Sequence, residues 1–486
     1  MILALFVTAA SLSASDKHDS KHKKPEVSVP ATWQTQEPFH IADPKDAFPK
    51  GTWWTVFGDA ELNQYEEKAL AANQTLQAAI ARLAEARAAA QITQARLFPE
   101  LDANPAVARQ RVSGNRPNLP TSQVGLPITQ TVYSIPFNIN YELDLFGEVR
   151  NNVRSAEAAL QATAADTQNA QLIVTTDLAA DYFQLRSLDS EIADVQEAIN
   201  YEQKGLQLVN QRHDQGIASG LDVAQQQAVL DAATTQLWQL QQQRAQFQHA
   251  LATLQGIPAS QFTAPVRPLN TPLPDVPVTV PSLLLERRPD IASAERQVAT
   301  ANAQIGVARA AFFPRILLGL TGGWQSTGAS SLFSLPSALW SVGASAFEPI
   351  VAGGRVRARY QQTKSIYDES VANYRETVLT SFQQVEDALS SLTTLASAAE
   401  SQDRAVADSR RALDLATVRY TGGLVNYLDV ITAQEQLLSN QRLATQLFGQ
   451  RMVTEVFLVK ALGGGWDALT LQSVPTKPTL KQAIQQ

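Results

Sequence analysis

From Glu148 to Lys204, and again from Arg355 to Thr421, the chain contains neither glycine nor proline. Runs of this length are read as helix, because glycine and proline are the residues that punctuate elements. At 1.5 Å per residue each run can extend roughly 100 Å, far beyond the ordinary globular helix. Apolar residues return every seven positions: Leu178, Leu185, Ile192, Ile199 and Leu206 in the first run, and Val371, Val378, Val385, Leu392, Ala399, Val406 and Leu413 in the second. A strict heptad predicts left-handed supercoiling against neighbouring helices. The seam favours Ala and Val over Leu, which allows close backbone approach. Gln, Asn, Asp and Ser cover most of the rest, so at least one broad face meets water.

Both runs end on nearly the same words, "RHDQGIASGLDVAQQQ" from Arg212 and "RYTGGLVNYLDVITAQ" from Arg419, an offset of 207 (419 − 212). That offset also pairs Gly147 with Gly354, Leu185 with Leu392, and Leu230 with Leu437. Upstream, Phe98-Pro99 matches Phe313-Pro314, each closing an Ala-rich helical stretch at a proline. The period is too long for a solenoid, so the chain is a duplicated domain in which each copy reads strand, strand, long helix, returning helix.

The β segments fall at about 101–112, 129–143, 315–325 and 338–348. Between Tyr133 and Leu143 the odd positions are apolar, while Ser134, Asn138, Asn140 and Glu142 are polar; copy two alternates Ile316, Leu318, Leu320 and Trp324, then Trp340, Val342, Ala344 and Ala346, with small or polar residues. This period of two is the pattern of lipid-facing barrel strands, with a soluble sandwich as the alternative. Four strands cannot close a barrel, but three chains giving four each make twelve, wide enough for a channel and without exposed edges.

Composition narrows the field. The 39 Lys+Arg against 46 Asp+Glu give a net charge of −7, and no basic stripe interleaved with aromatics supports nucleic-acid binding. Cysteine is absent, which removes disulfides and thiolate chemistry. The five histidines, His18, His22, His40, His213 and His249, show no metal spacing; His18 and His22 read as part of a solvated linker, and no metal or cofactor is expected. Neither a nucleophile elbow nor a phosphate loop is visible, so an enzyme is not expected. Residues 1–15 resemble a secretory signal, with Ser15 where a lipoprotein box would carry its Cys. Beyond them no window approaches the roughly 18 apolar residues of a spanning helix. A chain like this crosses a membrane only with strands.

Four motifs, "YELDLFGEVRNNVRSAEAAL" (Tyr141 to Leu160), "ERRPDIASAERQVATANAQIGVARAAFFPRI" (Glu286 to Ile316), "FEPIVAGGRVRA" (Phe347 to Ala358) and "RYTGGLVNYLDVITAQEQLLSNQR" (Arg419 to Arg442), resemble the TolC-like outer-membrane efflux proteins of the OprM type. The resemblance implies an α+β membrane protein: a homotrimer whose 12-stranded β-barrel sits in the outer membrane and continues as an α-helical coiled-coil tunnel through the periplasm. It implies a passive conduit for substrates delivered by a proton-driven inner-membrane pump through a periplasmic adaptor. Domains are then expected at 1–15 (signal-like), 16–60 (N-terminal equatorial segment), 61–261 (first repeat), 262–281 (Pro-rich linker), 282–465 (second repeat) and 466–486 (equatorial tail). The competing reading is a soluble periplasmic coiled-coil scaffold or adaptor.

The repeated turn is where function concentrates. Gly216 with Gly220, and Gly422 with Gly423, are expected to give the unhindered backbone of a helix reversal. Asp222 and Asp429 follow at the start of each returning helix. Acids there complement the helix dipole, whereas three protomers converging would place three Asp429 carboxylates in one ring, a gate. In the family, acids of copy two form such a constriction together with a Tyr before the turn, and Asp429 and Tyr420 match those positions. Thr432 stands where a second family acid can stand and Val425 where some members carry Arg, which implies a simpler gate. Asp222 is read as a cap. The tips, Gly216-Ile217 and Gly423-Leu424, resemble the family's adaptor contacts; a contact closing the coil is the alternative for Ile217.

Overall fold

The computed structural model describes residues 24–30, 32–33, 51–115, 125, 127–274, 287–464 and 466. The signal-like segment, His18, His22, residues 275–281 of the linker and the tail beyond 466 lie outside the described residues. In chain order the elements are α1 (Ala60–Ala72), α2 (Gln74–Ala95), β1 (Glu100–Ala103), β2 (Ala106–Val112), β3 (Ile128–Leu143), α3 (Glu148–Asp214), α4 (Gly220–Leu254), α5 (Pro289–Ala310), β4 (Arg315–Ser326), β5 (Ala338–Phe347), α6 (Arg355–Thr421) and α7 (Tyr427–Ala461). The two Gly/Pro-poor runs become helices of 67 residues each, and each returning helix has 35. The Ala-rich helices α2 and α5 stop at Ala95 and Ala310, four residues before the prolines. A proline excludes α geometry at the residue preceding it, and the chain closes through i→i−3 bonds such as Phe98 N–H to Ala95 O and Phe313 N–H to Ala310 O.

The chain divides into two compact units. The first holds Glu85–Leu160 and Glu295–Asn373, and with them the sheet. All pairing is antiparallel: β3 lies between β1/β2 and β4, and β4 between β3 and β5. The segment expected as a single strand at about 101–112 is split in two. Its register does not slip across the break, since Ala103 faces Phe137 and Ala106 faces Ser134. The interruption falls at Asn104-Pro105, opposite Ile135-Pro136, where two prolines lack the N–H that a ladder needs.

The register sorts the side chains into two faces. One carries Leu101, Val107, Tyr133, Ile135, Phe137, Ile139, Leu318, Leu320, Trp324, Trp340 and Val342. The other carries a polar ladder: Asn138 Nδ2 donates to Asp102 Oδ1 at 2.9 Å, and Thr321 Oγ1 donates to Asn138 Oδ1 at 3.0 Å. Apolar residues on the first face stay exposed, Trp340 at 81% and Val342 at 67%. Among the described residues the outer edges of β1/β2 and of β5 have no strand partner.

The second unit holds Glu26–Ala84, Gln161–Ala294 and Tyr374–Gln486. The heptad positions lie inward: Leu178, Leu185, Val378 and Val385 are fully buried, and Ile199, Leu392 and Leu413 nearly so. Fully burying a Leu or Val side chain contributes about 1.5–3 kcal/mol, so the heptad residues supply much of the cohesion that propensity alone cannot. Around Arg186 the N-terminal segment and the linker meet α3. The buried guanidinium pairs with Asp189 Oδ2 at 2.7 Å and Glu61 Oε1 at 2.8 Å, and donates to Pro265 O at 2.7 Å. Asp189 also takes Arg244 Nε at 2.5 Å and the Arg267 N–H at 3.0 Å. A buried charge is tolerable only when paired and hydrogen-bonded in this way.

Candidate functional site at the helix tips

The two hairpin ends are built alike. Where α3 stops, Gly216 N–H donates to His213 O and Ile217 N–H to Arg212 O, both at 2.8 Å; where α6 stops, Gly423 N–H donates to Tyr420 O at 3.0 Å and Leu424 N–H to Arg419 O at 2.9 Å. This pair of bonds is a Schellman cap, which needs a left-handed residue at its first position beyond the helix. Gly216 and Gly423 supply it with φ of 72° and 73°. The other two turn glycines differ from the expectation. Gly220 is the first residue of α4, and Gly422 has an ordinary φ, so the reversal rests on one glycine per copy. The next side chains, Ile217 and Leu424, are 61% and 75% exposed.

The returning helices separate the two acids. Ser219 caps α4 in a reciprocal box: its Oγ accepts from Asp222 N–H at 3.2 Å and its own N–H donates to Asp222 Oδ2 at 2.9 Å. In copy two Asn426 Oδ1 accepts from Asp429 N–H at 3.3 Å, but nothing answers from the Asp429 side chain. Asp429 is exposed, and among the described residues its carboxylate makes no hydrogen bond or ion pair. Thr432, one turn on, is exposed and returns its hydroxyl to Leu428 O at 2.9 Å. One acid is occupied with capping and its counterpart is free to face whatever approaches.

Tyr420 points inward. Its ring lies 4.9 Å from that of Tyr427, and Arg212 of the other hairpin stacks 4.7 Å over it. Both tyrosines join Val209, Leu413, Val430 and Ile431 in one core shared by the two hairpins. Tyr427 was not visible as a site residue from sequence. Its hydroxyl occupies the space above Gly205, where any Cβ would come within 2.9 Å. Beside it Gln226 donates to the backbone O of Glu202 at 3.0 Å. Burial raises the Tyr427 hydroxyl's pKa, and the nearby Glu202 carboxylate adds to this; burial likewise raises that of Glu202. The clue was Gly205 itself, a lone glycine inside a long helix, which costs about 1 kcal/mol relative to Ala unless packing requires it.

A duplicated chain in which each copy supplies one long helical hairpin and half of an open antiparallel sheet, apolar on one face and polar on the other, defines a class: outer-membrane channels of the TolC-like type. The family model for the outer membrane efflux protein matches residues 66–257 and 280–464, and the chain belongs to that family. The pyoverdine export outer membrane protein OpmQ of Pseudomonas aeruginosa is 33% identical over 443 residues, covering 91% of this chain and 92% of that protein. Outer membrane protein OprJ of the same species is 32% identical over 423 residues, covering 85% and 86%. Among solved structures the outer-membrane channel OprN superposes with a TM-score of 0.83 at 29% identity, covering 91% of this chain and 99% of its own. The outer membrane protein VceC of Vibrio cholerae gives 0.80 at 29% identity, covering 86% and 100%. The protein is an outer-membrane efflux channel.

Proposed function

We propose that three copies close a 12-stranded barrel, four strands from each, and that the long hairpins continue it as a periplasmic tunnel whose tips open and close. The observation that carries this reading is the sheet: two edges unpaired among the described residues, one exposed apolar face and one polar face. An isolated sheet of that kind is an aggregation hazard, whereas a closed barrel in lipid satisfies every edge and both faces. Within the tunnel, Asp429 from each copy forms the constriction, flanked by Thr432, with Tyr420 holding the tip from behind. Asp222 caps its helix. The exposed Ile217 and Leu424 beside their glycines offer an apolar docking point to a periplasmic adaptor, through which a proton-driven inner-membrane pump delivers the substrate. The channel itself is passive, needs no cofactor, and places most of its mass in the periplasm.

Light scattering with detergent correction on material extracted from membranes tests this assembly. The reading expects a protein-only mass of three chains that requires detergent. A stable water-soluble monomer or dimer, the form a periplasmic scaffold would take, would overturn it.

A further inference from the structure

The exposed apolar face of the sheet ends abruptly. On β3 it runs from Leu143 to Tyr133, ten steps of about 3.4 Å, which at a barrel tilt near 40° gives about 26 Å of height, the thickness of an apolar belt in such barrels. The next positions on that face are Thr131 and Thr129, and their register partners on β2 are Arg109 and Arg111. Both arginines are exposed, and among the described residues neither guanidinium has an ion-pair or hydrogen-bond partner. Two cations and two hydroxyls therefore form a patch two residues wide on the apolar face, just past its end.

This patch lies at the end of the sheet away from the helices, since Glu100, Leu143, Arg315 and Phe347 lead toward them. Among the described residues no carboxylate pairs with it. From Ala103 to Tyr141, and from Ile316 to Phe347, the sequence contains no Asp or Glu. A charge on a lipid-facing strand costs about 2–4 kcal/mol at mid-membrane and close to nothing at the rim. Two unpaired guanidiniums at the rim, with flanking hydroxyl donors, match one kind of partner, an anionic oxygen cluster held at headgroup level, because the guanidinium fork pairs bidentately with phosphate.

We infer that Arg109 and Arg111, with Thr129 and Thr131, form a docking site for the phosphorylated headgroup of an outer-leaflet glycolipid. The inference rests on the lipid-facing barrel proposed above. It adds a fixed lipid to the rim, on the side away from the pump.

The test uses the detergent-solubilised full chain and its R109Q/R111Q variant, titrated with diphosphorylated lipid A and with the dephosphorylated glycolipid, bound lipid being counted by native mass spectrometry. At roughly 1 kcal/mol per arginine near an anionic surface, the double variant binds the phosphorylated lipid about 30-fold more weakly, and both proteins bind the dephosphorylated form equally poorly. Equal retention of the phosphorylated lipid by both proteins would overturn the inference. So would displacement by equimolar inorganic phosphate, which would mark a free-anion site. The barrel reading is checked separately with Val342→Cys, a single thiol in a chain without cysteine, carrying a fluorophore in vesicles of brominated phosphatidylcholine. Absence of quenching removes the lipid-facing face itself; quenching together with unchanged lipid retention removes the glycolipid site alone.

Discussion

The guanidinium of Arg212 lies 4.7 Å from the centroid of the Tyr420 ring, joining the end of the first hairpin to the end of the second. Tyr420 also meets Tyr427 across 4.9 Å, so one aromatic ring ties three helices together at the tip. The contact needs the ring face and not the hydroxyl. Cation–π and aromatic-pair contacts contribute about 0.5–2 kcal/mol each. Tyr420→Ala should therefore destabilise the tip by about 1–3 kcal/mol and lengthen channel open times in planar bilayers, while Tyr420→Phe retains most of both properties. Equal behaviour of the two variants would assign the role to the hydroxyl instead.

The two Schellman glycines are predicted to be irreplaceable for a backbone reason alone. A Cβ at Gly216 or Gly423 would meet nothing within 4 Å, so the cost of Ala is the left-handed conformation, about 1–2 kcal/mol. Gly220, inside the first turn of α4, should accept Ala with no loss or with a gain of up to about 1 kcal/mol. Amide exchange at the tips separates the two classes: faster at Ile217 or Leu424 after the first substitutions, unchanged or slower after the last.

At Asp189 a single carboxylate answers Arg186 and Arg244 inside the helical unit. Asp189→Ala leaves Arg244 without a counter-charge and Arg186 with Glu61 alone, and one-sided removal of this kind costs about 3–5 kcal/mol. Denaturant midpoints should fall accordingly. A loss below about 1 kcal/mol would mean that water reaches Arg186.

Asp181 gives the helical unit a pH dependence. Burial raises its pKa from 3.8 to about 6, assisted by the neighbouring Asp177 carboxylate. Because the folded state holds the proton more tightly than the unfolded chain, the stabilisation is complete below about pH 4 and is lost as pH rises through about 6. Asp181→Asn should flatten thermal stability across that window and raise it at neutral pH.

Much of this was legible from residue spacing. The long helices followed from the absence of Gly and Pro between Glu148 and Lys204 and between Arg355 and Thr421, and the buried heptad residues from a period that side-chain geometry imposes. The sheet faces followed from alternation between Tyr133 and Leu143. The break at Asn104-Pro105 did not, because it depends on Pro136 standing across the ladder, a pairing that sequence does not display. The Arg186 cluster was hidden for the same reason: Glu61 and Pro265 are 125 and 79 residues away along the chain. At the tips the equivalence of Asp222 and Asp429 was plain. Their divergence depends on whether the side chain folds back onto the N-cap residue, which only coordinates display.

Three Asp429 side chains are predicted to converge where the tunnel closes. Since the chain has no cysteine, Asp429→Cys introduces a single thiol, and oxidation of the detergent-solubilised protein reads the geometry directly. Convergence predicts a covalent dimer on a non-reducing gel and a conductance that drops on oxidation and returns with dithiothreitol, with Asp222→Cys giving neither. A monomeric band and an unchanged conductance for oxidised Asp429→Cys would contradict a gate at this position.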